Sequence, residues 1–457
     1  MNEKNNKSVI EQKSYEFISL EERQGDPKQL FFTWFGANTH ALPIVTGALA
    51  ITIGLDFWWA SLAILLGHGI GALVMALHSA QGPRLGIPQV IQSRAQFGYF
   101  GVIVPLLIVF TMYIGYGASN TIITGQGIHE SLGINLNLSI TLSLLPMVLF
   151  AIYGQKLIQN AMKYYTMIYI VIFIVLSLLV IKNVSLEMLN HGSFSFKQFF
   201  LVLSISVTWQ ITYGPYVSDY SRYFHPEQAK KTFVNTYIGS FISSAWLMIL
   251  GAAIGCMAVN GTVMSQIKDL GGNLGFVLSF LIAIGLMLVN SLNIYGACIV
   301  ALSIASNFIK FKTTIKLRIF TTIVVGVILA VAATIGAGNF MVNIQNYLSF
   351  VLFFIVPWSV INLTDFYLLR RNSYDPESFL KKNGSFGKLR ISSLAIYLLS
   401  VASQVPFVNN GVYQGAISKH LGGLDVAWVI GVFISFSLYY CFEKIKKESN
   451  VELTTDM

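Results

Sequence analysis

Apolar residues fall in long runs along this chain, and short polar segments separate the runs. A helix that crosses a bilayer needs roughly 20 apolar residues. Twelve runs of about that length fall near residues 30–54, 57–79, 99–125, 139–155, 162–181, 198–218, 233–258, 274–304, 319–337, 341–368, 391–408 and 424–442. The pattern predicts an all-α membrane protein with about twelve transmembrane helices.

The polar ends of the chain divide it into three parts. We expect a cytoplasmic N-terminal tail at residues 1–28, a transmembrane domain at 29–442 and a cytoplasmic C-terminal tail at 443–457. Residues 1–28 hold no apolar stretch typical of a cleavable signal peptide, so the first span is expected to direct insertion.

Composition agrees with this class, since 54% of the 457 residues are hydrophobic and 11% are charged. Such a composition excludes an ordinary soluble protein. With both tails inside, 25 of the 29 Lys and Arg residues lie in inner segments. The outer loops hold only Lys182, Lys197, Lys268 and Lys419. This asymmetry predicts a multi-pass protein of the plasma membrane with cytoplasmic termini, and it explains the net charge of +9 without a nucleic-acid partner.

Charged side chains are nearly absent from the predicted spans, because Asp56, Asp219 and Asp365 all fall near span ends. An ionised side chain at mid-membrane costs roughly 2.5–3.5 kcal/mol. The pattern favours a small neutral or weakly polar solute over a multiply charged ion. The chain has no Walker, HExxH or GxSxG motif and no CxxC spacing, so we predict no enzyme activity, no metal site and no cofactor.

Two predicted spans contain residues that interrupt a helix. The sixth reads VTWQITYGPYVSDYSRYF, with Gly214 and Pro215 at its centre. The first reads TWFGANTHALPIVTG, with Gly36, Asn38, Thr39, His40 and Pro43. Transporters with two inverted five-helix repeats have discontinuous helices at positions one and six, with substrate and ion at the midplane. The alternative is that both breaks are packing kinks, since Gly and Pro are common in membrane helices.

Aromatic rings and side-chain amides recur in three spans, as a ring with an amide in two of them and as two amides in the third. A flat heterocycle with ring N–H and C=O groups could stack on the rings and form hydrogen bonds with the amides. Each pair could instead serve only to pack the helices, because the rings could lie in the core and the amides could form hydrogen bonds between helices. The pairs are Tyr116 with Asn120, Trp209 with Gln210, and Asn290 with Asn293. His40 could carry a proton or donate to a neighbouring carbonyl.

Long blocks of the chain resemble the purine-cytosine permease branch of the nucleobase:cation symporter family. The segment GPRLGIPQVIQSRAQFGYFG from Gly82 to Gly101 is similar to the family's signature loop. Four further blocks resemble the family in matching order: WFGANTHALPIVTGAL (34–49), GPYVSDYSRYF (214–224), NSLNIYGA (290–297) and PWSVINLTDFYLLRR (357–371).

The resemblance implies a twelve-helix transporter with the LeuT-like five-plus-five inverted repeat, in which helices 1, 2, 6 and 7 move against helices 3, 4, 8 and 9. Members take up cytosine, purines, uracil, allantoin, hydantoins, thiamine or vitamin B6 with Na⁺ or H⁺. The family's substrate-binding positions fall on Tyr116, Asn120, Trp209 and Asn293, although the helix 3 aromatic is often Trp in relatives.

Sodium-coupled relatives use carbonyls at the helix 1 break and hydroxyls just upstream of the helix 8 asparagines. Here the upstream residues are Met287, Leu288 and Val289, which supply no oxygen ligand for a hard cation. We therefore favour proton coupling, with His40, Asp219 or a substrate nitrogen as carrier. Carbonyls near Gly36 and Thr39 leave Na⁺ open.

The sequence thus predicts a secondary active importer of a neutral nucleobase or related heterocycle. We assign substrate binding to Asn38, Tyr116, Asn120, Trp209, Gln210, Asn290 and Asn293, and coupling to Gly36, Thr39, His40 and Asp219. The expected partners are the small-molecule substrate and the lipid bilayer, with no obligate protein partner. The alternatives are an amino-acid or other small-solute:Na⁺ symporter of similar architecture, and a transporter-like receptor.

Overall fold

A computed structural model describes residues 17–257, 261–309, 311, 314–371 and 373–455. Residues 1–16 and 456–457 of the two predicted tails lie outside the described residues. The helices, in chain order, are α1 (Lys28–Asn38), α2 (Ala41–Thr52), α3 (Phe57–Ser79), α4 (Gly82–Leu85), α5 (Gln89–Gln92), α6 (Arg94–Phe97), α7 (Ile103–Leu132), α8 (Leu136–Tyr153), α9 (Gln155–Asn183), α10 (Leu186–Leu189), α11 (Phe196–Ile211), α12 (Gly214–Ser221), α13 (Ala229–Met257), α14 (Val263–Leu270), α15 (Gly275–Phe308), α16 (Ile315–Gly336), α17 (Phe340–Leu363), α18 (Ile391–Gln404), α19 (Ala416–His420) and α20 (Ala427–Thr455).

Short irregular helices link several of these elements. A π-helical segment, Thr364–Leu369, continues α17. Turns of 3₁₀ helix lie at Leu20–Glu22, Pro226–Gln228, Gly272–Leu274, Pro376–Phe379 and Val405–Phe407.

Nine helices within the described part of the chain are long and apolar enough to cross a membrane, and the shorter apolar helices Ala41–Thr52 and Ile391–Phe407 accompany them. The predicted all-α membrane fold is therefore confirmed. Differences from the predicted runs lie mostly at span ends: α7 continues past 125 to Leu132, and α20 continues past 442 to Thr455. A hydropathy pattern marks only the apolar part of a helix, whereas the helix itself continues into polar turns.

Both predicted helix breaks are present. Between α1 and α2, Thr39 (φ −82°, ψ 77°) and His40 (φ −157°, ψ 178°) leave the helical conformation. Pro43 lies in the first turn of α2, where its missing N–H removes no helical hydrogen bond. The second break, at Thr212 and Tyr213 between α11 and α12, is milder, because both residues keep helical dihedral angles and only the regular hydrogen-bond pattern is interrupted. Pro215 again lies in the first turn of the following helix.

Two groups of helices flank the centre of the molecule, and α17, α18 and α20 pack with one another beside them. One group contains α1, α2, α3, α11, α12 and α13, and the other contains α7, α8, α15 and α16. Glycines allow close packing of backbones within the first group: a Cβ on Gly47 would lie 1.9 Å from Met248 O, and a Cβ on Gly251 would lie 1.9 Å from Ile44 O. Such small-residue contacts are typical of membrane helices, which gain little from hydrophobic burial against one another. We call these sets the first and second helix groups.

The segments predicted to be cytoplasmic meet at one end of the molecule, which we call the basic end. The loop 82–101, which folds as α4, α5 and α6, accepts hydrogen bonds from the N-terminal segment, where Arg23 Nη1 lies 2.6 Å from Pro83 O. On its other side Arg390 N donates to Phe97 O, and the Arg390 side chain pairs with Glu443 at 2.7 Å. The loop is therefore held between the beginning of the chain and its last helices.

Asp365 joins the loop to the π-helical segment at this end. It is 1% exposed and accepts hydrogen bonds from Gln96 Nε2 (2.6 Å), Tyr374 OH (2.9 Å) and Tyr439 OH (3.2 Å). Arg370 Nε lies 3.1 Å from its Oδ2. Four donors on one buried carboxylate make it a packing centre of the basic end.

We expect Asp365→Asn to lower the free energy of unfolding by about 1–3 kcal/mol, because it leaves buried donors and Arg370 without their charged acceptor. The melting temperature in detergent checks this.

The matched control is Glu377→Gln, which removes the exposed i,i+4 pair with Lys381 and should change stability by less than about 0.5 kcal/mol. Equal melting temperatures for both variants would contradict the role of Asp365.

Candidate functional site

A cavity of about 600 Å³ lies between the two helix groups. Its wall extends from the two breaks, at His40 and Trp209, to Arg222 and Ser303 at the basic end. Its volume falls in the range of small-molecule sites. Aromatic side chains form much of the wall, including Trp34, Tyr113, Tyr116, Trp209, Tyr213, Tyr216, Tyr220, Tyr223 and Tyr295.

Four residues predicted to bind substrate line this cavity together: Tyr116, Asn120, Trp209 and Asn293. The rings of Tyr116 and Trp209 face each other edge to face, with centroids 5.7 Å apart and planes at 79°. Trp209 is 3% exposed and Asn120 is 2% exposed, so both belong to the deep part of the wall.

The two cavity amides differ in their hydrogen bonds. Asn120 Oδ1 is buried without a hydrogen-bond partner among the described residues. Asn293 Nδ2 donates to Asn290 Oδ1 at 3.0 Å. A buried acceptor without a donor costs about 1–3 kcal/mol. The wall therefore contains a polar atom that a ligand N–H could satisfy.

Asn38 lies behind the wall rather than on it. Its Oδ1 accepts from Trp209 Nε1 and from Tyr213 OH, both at 2.8 Å, and its Nδ2 donates to Trp34 O and Ser240 Oγ. Both lone pairs of the amide oxygen and both N–H groups are therefore used inside the protein. Asn38 therefore orients the two rings that line the cavity.

Gln210 also lies behind the wall, where it joins three helices of the first group. Its Nε2 contacts His68 Nδ1 (3.1 Å) and Ser244 Oγ (3.1 Å), and its Oε1 accepts from Ser240 Oγ at 2.5 Å. Since Nε2 is a donor, His68 Nδ1 is the acceptor and its proton lies on Nε2. These bonds fasten α11 to α3 and α13.

Asn290 has the corresponding place in the second helix group. Its Nδ2 lies 2.9 Å from both Gly117 O and Thr121 Oγ1 of α7, and the residue is fully buried. It holds α15 against α7 and orients Asn293 through its Oδ1.

The predicted coupling residues are divided between the first break and the basic end. His40 lines the cavity, and its Nδ1 accepts from Leu42 N at 3.4 Å, which caps α2. Thr39 Oγ1 donates to Phe35 O at 2.6 Å, and Thr39 N donates to Gly36 O at 3.1 Å. Asp219 lines the lower cavity and accepts from Gln89 N at 2.8 Å, so it also holds the loop 82–101.

Sequence reasoning missed a row of tyrosines on the sixth span. Tyr213, Tyr216, Tyr220 and Tyr223 all line the cavity, and Trp34 of α1 packs against Tyr213 and Tyr220 with centroids 5.4 and 5.1 Å away. Their spacing of three, four and three residues is the signal that could have found them, because it places four rings on one helical face.

The site combines aromatic faces with amide groups, and it contains few charges at the level of the breaks. Among the described residues no group of three His, Cys, Asp or Glu side chains is placed to hold a metal ion. Such a wall can stack a flat solute and hydrogen-bond its edge.

The fold matches solved transporter structures over almost its whole length. The closed conformation of Mhp1, a nucleobase-cation-symport-1 family transporter with bromovinylhydantoin bound, has a TM-score of 0.75 at 15% identity and covers 97% of each chain. The inward-facing conformation of Mhp1 has a TM-score of 0.77 at 17% identity and covers 96% of this chain and 95% of that one. The chain therefore has the fold of these transporters, the LeuT-like fold, over almost its whole length.

Sequence comparison identifies the family. Residues 18–431 match the model described as permease for cytosine/purines, uracil, thiamine, allantoin. The putative purine-cytosine permease YxlA of Bacillus subtilis (strain 168) is 36% identical over 449 residues, which are 97% of this chain and 98% of that protein. The chain belongs to this permease family. The predicted resemblance is confirmed, as is the prediction of a transporter rather than an enzyme.

We expect the two asparagines of α15 to have different roles, Asn290 in stability and Asn293 in solute uptake. We expect Asn290→Ala to lower the melting temperature by several °C, because it leaves α7 and α15 without their shared hydrogen bonds and opens a buried space. Asn293→Ala should leave the melting temperature within about 2 °C and weaken solute uptake.

Thermal melts and uptake assays on both variants measure this difference. The outcome that contradicts it is a stable Asn290→Ala protein together with an unstable Asn293→Ala protein.

Proposed function

We propose that this chain is a secondary active importer of a neutral nucleobase or related planar heterocycle, working by alternating access. One observation carries the proposal: the rings of Trp209 and Tyr116 and the amides of Asn120 and Asn293 meet in one cavity beside both helix breaks. Discontinuous helices at a midplane cavity are typical of secondary transporters. The family description names cytosine, purines and uracil, which are planar heterocycles, beside thiamine and allantoin, and it names no amino acid, which supports this solute class.

In this proposal the face of Trp209 stacks on the heterocycle, and Asn38 fixes the indole through its hydrogen bond. Asn120 Oδ1 accepts a ring N–H, and Asn293 bonds the polar edge on the side of α15. Gln210 and Asn290 act indirectly, because their bonds hold the helices that carry these groups.

We propose proton coupling rather than Na⁺ coupling. Carbonyls at the first break already accept hydrogen bonds within the chain: Trp34 O from Asn38 Nδ2, Phe35 O from Thr39 Oγ1, and Gly36 O from Thr39 N. On α15, Met287, Leu288 and Val289 offer no side-chain oxygen. Protonation of His40 at Nδ1 would break the cap on Leu42 N, so Asp219 is the better proton carrier.

The same proposal orients the molecule in the plasma membrane. The basic end faces the cytoplasm with both termini, because Lys and Arg favour cytoplasmic loops. The cavity reaches that end, so the conformation is inward-facing. Twelve spans result if α1 with α2, and α11 with α12, each count as one crossing, and the first ten form the two inverted repeats. In this proposal the protein is embedded in the lipid bilayer, and transport requires no obligate protein partner and no nucleic acid.

Proteoliposomes test the function and the coupling ion together. Uptake of labelled cytosine, adenine, hypoxanthine and pyridoxine is measured with a pH gradient or a Na⁺ gradient imposed separately. We expect accumulation of at least one heterocycle with the pH gradient.

Each alternative has its own outcome in this assay. Accumulation driven by Na⁺ alone would overturn proton coupling, and competition by amino acids would favour an amino-acid:Na⁺ symporter. Tight binding without accumulation would indicate a receptor.

Trp209→Ala should reduce uptake by about 5- to 150-fold while the protein still inserts, since stacking of a base on an aromatic ring contributes about 1–3 kcal/mol. Initial uptake rates, normalised to inserted protein, measure the effect.

The matched control is Trp428→Ala. That indole also donates to a side chain of α11, Ser204 Oγ at 2.9 Å, but it does not line the cavity. Unchanged uptake by Trp209→Ala would remove this ring from the site.

A further inference from the structure

The hydroxyl of Tyr116 forms a hydrogen bond between the two helix groups. Tyr116 OH lies 3.1 Å from Thr212 Oγ1. Thr212 is the first residue after α11 and lies at the second break. Thr212 has one hydroxyl proton, and Thr212 Oγ1 donates it to Trp209 O at 2.8 Å. Tyr116 is therefore the donor and Thr212 the acceptor.

This bond holds the Tyr116 ring beside the second break, and the neighbouring rings set its plane. Tyr347 of α17 packs against the ring edge to face, with centroids 5.3 Å apart and planes at 89°, and Trp209 packs at 79°. Because the two cavity rings are perpendicular, a flat molecule stacked on Trp209 meets Tyr116 edge-on. Stacking on both faces would need the two ring centroids about 7 Å apart, since each contact takes about 3.5 Å, whereas they lie 5.7 Å apart here. Turning the ring about its own long axis leaves the hydroxyl in place, so the whole ring must move away from Trp209, and this movement stretches the hydrogen bond to Thr212.

We propose that the Tyr116–Thr212 hydrogen bond is a latch that a planar solute opens when it binds, so that Tyr116 determines specificity through its hydroxyl as well as its ring. The inference rests on the proposed function. The solute first stacks on Trp209. It then stacks on Tyr116 only if the tyrosine leaves the position in which it bonds Thr212. The site therefore favours solutes that gain the most free energy by stacking on the Tyr116 ring, because only that gain offsets the loss of the Tyr116–Thr212 hydrogen bond.

The latch also links binding to movement. Tyr116 belongs to the second helix group and Thr212 to the first. A solute that opens the bond removes one connection between the groups that alternating access separates.

A double-mutant cycle with Tyr116→Phe and Thr212→Val tests the latch. Binding of cytosine and adenine to purified protein is measured by isothermal titration calorimetry. We expect each single variant to bind the accepted heterocycle about three- to fivefold more tightly, since a net hydrogen bond no longer opposes binding. The double variant should gain no more than either single one. Thr212→Ser, which keeps the acceptor, should bind like the original protein.

The same variants are melted without any added heterocycle, which separates the latch from the proposed function. Tyr116→Phe should lower the melting temperature by about 1–2 °C. Thr212→Val should lower it further, because it also removes the hydrogen bond to Trp209 O. The double variant should melt with Thr212→Val rather than below it, because the bond between the two residues is lost only once.

Two variants serve as matched controls outside the cavity. Thr208→Val removes a buried hydroxyl one turn earlier on α11, which bonds only its own helix at Ser204 O. Tyr165→Phe removes a tyrosine hydroxyl bonded to Leu281 O. Neither should change heterocycle affinity.

Weaker binding by Tyr116→Phe would overturn the latch, because it would mean that the hydroxyl contacts the solute directly. Additive effects in both cycles would also overturn it, since they exclude a shared bond. Coupled melting with no binding of any heterocycle by the original protein would overturn the proposed function, and with it the solute's part in the latch.

Discussion

Two interrupted spans leave backbone polar groups that neither a helix nor lipid can satisfy, and the cavity is built around the side chains that satisfy them. At the first break, the side chains of Asn38 and Thr39 bond Trp34 O and Phe35 O near the end of α1, and His40 accepts from Leu42 N in the first turn of α2. At the second, Thr212 bonds Trp209 O. In hydrocarbon an unsatisfied backbone group costs several kcal/mol, so these bonds are a condition of the fold.

The same side chains then place the rings of the site. Asn38 Oδ1 accepts from Trp209 and Tyr213 and so holds both rings, and Thr212 Oγ1 accepts from Tyr116 OH. The residues that repair the breaks are therefore also the residues that orient the cavity wall. A substitution at either break changes the backbone and the aromatic geometry together, which makes such positions hard to vary separately.

A second set of buried contacts holds the cavity's lower wall. Gln89 N bonds Asp219 in the cavity, and Gln89 Nε2 donates to Gln81 Oε1 at 2.9 Å. From Gln81 the chain of amides continues through Asn362 and Gln96 to Asp365 at the basic end. The loop 82–101 therefore contacts both the cavity wall and the packing centre of the basic end. These contacts explain why the motif in this loop contains so many polar residues.

Sequence alone determined the membrane class, the two breaks and the family, because each depends on local chemistry: apolar run length, the effect of Gly and Pro on a helix, and contiguous motifs. It also predicted that Tyr116, Asn120, Trp209 and Asn293 share one site, because the family resemblance implies it; helical spacing by itself paired only Tyr116 with Asn120. Only the tertiary structure decided that Asn38, Gln210 and Asn290 bond neighbouring helices behind the wall, and that Tyr116 stands perpendicular to Trp209. An amide is equally suited to a ligand or to another helix, and the partner that lies within 3 Å is set by packing between distant segments.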